Sequence, residues 1–313
     1  MKEQDRRRNM MIMKSILKAF LKALFIRTII AIVVFTMAYG MLAADTKAAD
    51  FGPDPVASAG SIDNGMMREV FDAANEILAK IPANASERDK VRLFHDELCR
   101  RVRYDYTQSS PHMDDVYGAL VLGVANSHGY ADAFKFLCDS AGVFCLLVCS
   151  ETNAWNLVEL NGELSYFVDV CWDDTDTYDA NGKEYISYDN YIVNKSDLEK
   201  NGREHVAAEG FDWYTGYYDP EVGFWERNDY KMSGFTYDGV YQAFKTQYEL
   251  GRTLLEVRYD NQAAYKEACE QLTRNDMDMI WDILYGIGQV NGYEYVRWEC
   301  NDDTMTFRVY LDF

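Results

Sequence analysis

No two of the seven cysteines (Cys99, Cys138, Cys145, Cys149, Cys171, Cys269 and Cys300) stand as a Cys-x-x-Cys pair, and none shows metal-ligand spacing. That excludes the common zinc-finger and dithiol redox frameworks, and no metal or cofactor is expected. Internal repeats and low-complexity tracts are also missing. Positive charge is scarce beyond the first fifty residues, where 22 Lys and Arg face 47 Asp and Glu, a balance of −25. Nucleic acid is therefore excluded as a partner, because its phosphates require a basic surface.

What remains is a chain of 313 residues, 48% hydrophobic and 26% charged, which is the composition of a folded protein with ample core. Its first fifty residues have the opposite charge balance, with 9 Lys and Arg against 4 Asp and Glu. The apolar run Thr28 to Ala44 follows that basic flank, and Ala43, Ala44, Ala48 and Ala49 supply small residues after it. Such a segment (1–50) is either a secretory signal peptide or an N-terminal membrane anchor; the run is slightly short for a spanning helix of about 20 residues, which tilt can accommodate. Either reading places the body outside the membrane, secreted or tethered at the cell surface. An odd cysteine count then leaves at least one thiol unpaired within the chain, and most are expected as buried free thiols. Cys145 and Cys149, about 13 Å apart along one strand, cannot bridge each other.

Residues 51–61 form a Pro/Gly/Ser/Ala linker. Val70, Phe71, Ala74, Ile77, Leu78 and Ile81 recur at helical spacing before Pro82. "SERD" (86–89) opens a second helix with a capping box. A third helix begins near Ser127 and stops at Gly142, and 143–150 suits a buried strand. Two alternating runs flank Asn161-Gly162, the pattern of a hairpin. Helices followed by an antiparallel sheet indicate an α+β fold. A second unit from about 235 offers a strand at 253–259, helices at 262–272 and 277–287, and two terminal strands around the Asn301–Asp303 turn. The expected organisation is thus one domain over 62–234 and a small α+β domain over 235–313.

Three ordered motifs between about 85 and 200 carry a resemblance: "HDELCRRVRYDY", "YGALVLGVANSHGYADAFKFLCDSAGV" and "NAWNLVELNGELSYFVDVCWDD". Together they resemble the transglutaminase-like superfamily, whose fold is related to that of papain-type cysteine proteases, with Gly129, Tyr130 and Ala131 matching its Gly-Tyr-Ala segment. The resemblance implies helices packed on an antiparallel sheet and a site of three groups. A cysteine at a helix N-terminus acts as nucleophile, a histidine on a strand moves the proton, and an acid orients the histidine. Carried over by position, the nucleophile falls on Ser127, the base on Asn153 and the acid on Asp169; only the acid matches. His128 follows Ser127 where the family has glutamine or another polar residue, and Cys171 replaces its usual threonine. The resemblance also implies a binding groove lined by Tyr104, His128, Tyr130, Trp155 and Trp172.

A serine hydroxyl has almost no anionic fraction at neutral pH, and an asparagine amide cannot accept its proton. Losing nucleophile or base in a comparable triad costs on the order of 10⁶ in turnover. The expectation is a catalytically silent module that binds a peptide or a cell-envelope ligand. Two alternatives stand beside it: an acyl transferase or peptidase using Ser127 with an unrecognised base such as His128, and a purely structural spacer. Cys171, expected on the same strand face as Asp169, has no histidine placed to activate it. His95 is read as a surface or hydrogen-bonded core histidine, and His205, in "NGREH", as solvated. The carboxylates of 173–182 read as a solvated acidic loop rather than a calcium site, and the aromatics from Trp213 to Tyr241 either stack on a ligand or pack between the domains.

Overall fold

Local signals in the sequence become helix ends in the computed structural model, which describes residues 62–313 apart from 163, 180–181, 201–204, 206–222, 289–295 and 312–313. The export segment 1–50 and the linker 51–61 lie outside the described residues, as does most of the aromatic run from Trp213. Helix α1 (Asn64–Leu78) is capped by the Asp63 carboxylate, and it turns Val70, Ala74 and Ile77 into the core. Helix α2 (Glu87–Arg101) starts on a reciprocal cap between Ser86 and Asp89, with acidic residues in its first turn and Arg100 and Arg101 in its last. Strand β1 (Arg103–Tyr104) pairs in parallel with β2 (Val124–Ala125), across a loop that contains one π-helical turn, Gly118–Leu122.

Helix α3 (Ser127–Ser140) follows directly, and Gly142 ends it with φ of 74°. The expected hairpin is present: β4 (Ala154–Leu160) pairs antiparallel with β5 (Leu164–Val168), and Asn161 and Gly162 take the left-handed φ values of 60° and 76°. Strand β3 (Cys145–Cys149), expected to be buried, is instead the edge of the sheet and only partly covered. After β5 the chain does not continue as a strand. Asp169 caps a short helix, α4 (Val170–Asp173), so Cys171 lies on a helical turn rather than on the strand face of Asp169. The acidic stretch that follows is not a solvated loop. Asp173 is wholly buried, and β6 (Asp174–Tyr178) pairs with β7 (Glu184–Ile186). β8 (Tyr191–Val193) completes the antiparallel sheet in the order β3-β4-β5-β8.

The remaining elements are α5 (Lys195–Lys200), α6 (Phe224–Arg227), β9 (Lys231–Met232), α7 (Tyr237–Glu249), β10 (Leu254–Tyr259), α8 (Gln262–Leu272), α9 (Arg274–Gly286), β11 (Arg297–Asn301) and β12 (Thr306–Tyr310). They build a second four-stranded sheet, ordered β11-β12-β10-β9, whose β9–β10 pair is parallel. A disulfide joins Cys269 on α8 to Cys300 on β11, and Cys99, Cys138, Cys145, Cys149 and Cys171 are free. The architecture is α+β with mainly antiparallel sheets.

Residues 58–313 form one compact unit. Asp189, just before β8, accepts from Arg258 (2.6 Å) and from Arg308 of the second sheet, and Arg308 also donates to Glu256 at 3.0 Å. All four side chains are buried, so these charges survive only as a matched set. Among the described residues no helix is long and apolar enough to cross a membrane.

Candidate functional site

Asn126 sets the geometry of the site by capping α3, where its side-chain oxygen accepts from the backbone N–H groups of His128 (2.9 Å) and Gly129 (3.3 Å). Ser127 is thereby the first helical residue, at the positive end of the helix dipole. Gly129 permits the approach of the preceding loop, since a Cβ there would sit 2.5 Å from the Met113 carbonyl oxygen. Asn156 ties this helix to the hairpin by donating its amide to the Ala131 carbonyl at 3.0 Å.

That tie places Ser127 against the start of β4, where its Oγ accepts the Ala154 N–H at 3.3 Å. The preceding residue, Asn153, donates its amide to Asp169 Oδ2 at 3.0 Å. Asp169 Oδ1 accepts the Trp172 N–H at 3.0 Å, the cap of α4. The structure thus brings Ser127, Asn153 and Asp169 together. Tyr104 lies on the short ladder beside Ala125, half-buried, and its hydroxyl accepts from Gln108 at 3.1 Å. Tyr130 is buried and donates its hydroxyl to Asp174. Trp155 is also buried, His128 is half-buried, and Trp172 is 40% exposed. His128 has Asp132, one turn further along α3, as its carboxylate neighbour.

The second oxygen of Asp169 has another donor. His205, expected to be solvated, is buried and its Nε2 lies 2.8 Å from Asp169 Oδ2. Its ring is clamped edge-on by Trp155 and Trp172, at centroid separations of 5.3 and 4.7 Å. A carboxylate only accepts, so Nε2 carries a proton, and in the neutral ring Nδ1 then carries a lone pair. Nδ1 is buried and has no hydrogen-bond partner among the described residues. Position-by-position transfer missed this imidazole because it arrives 36 residues downstream of Asp169, from a charged stretch. The signal for it was available: an orienting acid without its histidine, in a chain with only four histidines.

Two other histidines, His95 and His112, are committed elsewhere. His95 lies between Asp96 (Nδ1 to Oδ1, 3.0 Å) and Asp173 (Nε2 to Oδ2, 3.1 Å) in the core. Burial opposes its charge, but the hydrogen bonds from Asp173 and Asp96 outweigh it and raise the ring above the ordinary imidazole range. His112 Nδ1 lies 2.6 Å from Asp115. Burial, then Asp169 and Asp174, push the Cys171 thiol well above its ordinary range, which removes it as a thiolate nucleophile. Among the described residues no three His, Cys, Asp or Glu side chains are placed to hold a metal.

No protein-family model matches this sequence. No curated protein matches it. A solved structure described as the crystal structure of a TGase superposes with a TM-score of 0.29 at 16% identity, covering 34% of this chain and 31% of that chain. The chain thus spans about a third of that structure's length, and the arrangement around Asp169 rests on its own geometry.

Proposed function

We propose that this chain is an exported, transglutaminase-like protein, secreted or tethered by its N-terminal apolar segment. Its cleft around Ser127 and Asp169 binds a peptide or cell-envelope ligand without thiol chemistry. One observation carries the reading: a hydroxyl and an amide stand where a thiol and an imidazole would be needed, and the amide is engaged on Asp169 at 3.0 Å. Binding needs shape and hydrogen bonds rather than proton transfer. The exposed face of Trp172 and the partly covered Tyr104 supply apolar surface beside the polar groups.

The test is titration of the purified protein with cell-wall peptide and glycan fragments, beside an amine-incorporation assay. Binding that weakens in Trp172→Ala, with no amine incorporation above that of Ser127→Ala, is expected. Incorporation that disappears in Ser127→Ala would sink the thiol-free binding reading. A second reading, an acyl transferase or peptidase acting through Ser127, is favoured by the buried imidazole on Asp169.

A further inference from the structure

Two groups in this site are unmatched, and they are complementary. His205 Nδ1 is an acceptor without a donor. Ser127 Oγ accepts the Ala154 N–H but donates to no described residue. The path between them runs through only two residues: Asn153 adjoins Ala154 in the chain, and Asn153 and His205 share one oxygen of Asp169. Leaving a buried acceptor unmatched is destabilising, and the two tryptophan rings pack edge-on against the imidazole. An unmatched acceptor that shares its orienting carboxylate with the residue next to the Ser127 contact has the bonding pattern of a base awaiting its proton.

We propose that His205 is the general base of Ser127, so that the imidazole absent at position 153 is supplied from a downstream segment. The proposal rests on the second reading above and names its base. Ser127 and His205 are not hydrogen-bonded to each other here; a bridging water or the tightening that accompanies substrate binding closes the gap. The reaction class is acyl transfer from an ester or amide to water. Ser127 Oγ bonds to the carbonyl carbon as its proton passes to Nδ1. The Nε2–H bond to Asp169 stabilises the imidazolium, and the positive end of α3 favours the developing oxyanion. Collapse breaks the bond to the leaving alcohol or amine, which takes the proton from the imidazolium. Water then attacks the acyl-serine ester, gives its proton to Nδ1 and releases the acid, with Ser127 restored.

The experiment treats the full-length protein with a fluorophosphonate, which needs no knowledge of the natural substrate. An activated Oγ forms an O–P bond, the P–F bond breaks, fluoride leaves, and the serine proton passes through His205 to solvent. Peptide mass spectrometry is expected to place the label on Ser127, at a rate that rises with pH. His205→Gln is expected to lose about 100-fold or more of that rate together with its pH dependence, and Ser127→Ala to remain unlabelled. Circular dichroism melts establish that each variant folds. Equal labelling of folded His205→Gln overturns the assignment of the base and leaves the second reading standing. No label on Ser127 of the folded wild type overturns both. Should His205→Gln fail to fold, a flat wild-type pH profile overturns the proposal by itself.

Discussion

Two buried imidazoles sit in the same protein, one around α2 and the other beside Asp169, and they are finished differently. His95 has a carboxylate on each ring nitrogen, and Asp173 is further held by the Asn190 backbone N–H (2.9 Å) and side-chain amide (3.1 Å). His205 has one carboxylate, two tryptophan edges and one ring nitrogen facing no described partner. Complete matching makes a buried polar group a strut, since every donor and acceptor is already used. Incomplete matching leaves a buried group with capacity for one more hydrogen bond.

The largest effect that tests this contrast is expected at Asp173. Asp173→Ala strands a buried charged ring and should cost about 3–5 kcal/mol in urea unfolding. His205→Gln should cost less, about 1–2 kcal/mol, because it removes one charge-assisted bond together with an atom that was already unmatched. Equal losses at the two places would erase the distinction between strut and reserved group.

Acid and base sharpen it further. The folded-state pKa of His95 is raised, so its contribution is fully present below the unfolded value near 6.5 and is lost as pH rises through the folded value. The gap in unfolding free energy between wild type and His95→Gln should therefore be widest below the unfolded value and narrow as pH rises through the folded one. A gap that widens with pH would mean the ring is buried neutral. The smallest effect is expected at Cys171. Its thiol is held protonated, so Cys171→Ser should leave fluorophosphonate labelling of Ser127 unchanged and stability within about 0.5 kcal/mol.

Short-range signals were the readable part of this fold. Ser86 with Asp89, Asn161-Gly162 and the span 262–272 each specify their own backbone within a few residues, and each appears where the sequence placed it. Within the site, the nearness of Asn153 and Asp169 was legible for the same reason, as a hairpin brings its two ends together, whereas the approach of Ser127 was implied by the family resemblance. The failures were long-range or environmental. Asp173 to Tyr178 looks like a solvated loop by composition, yet His95 arrives from α2 to neutralise Asp173 and β7 arrives to pair the strand. His205 looks solvated because its neighbours in the chain are charged, whereas its neighbours in space are Trp155, Trp172 and Asp169. Periodicity reports which face of an element is covered, not what covers it.

The bond of Asp189 to Arg258 and Arg308 has a consequence for how such a chain can change over generations. A portion that begins near residue 235 carries three of the four strands of its sheet and its own disulfide, as a cassette able to move between proteins would. Here it carries two buried cations whose carboxylate belongs to the other portion. A recombined chain that lacked an acid at that point would leave Arg258 buried without its carboxylate, while Arg308 kept Glu256, at a cost of several kcal/mol out of a total that is rarely above about 15. The pairing therefore ties the fold of the second portion to an acid carried by the first.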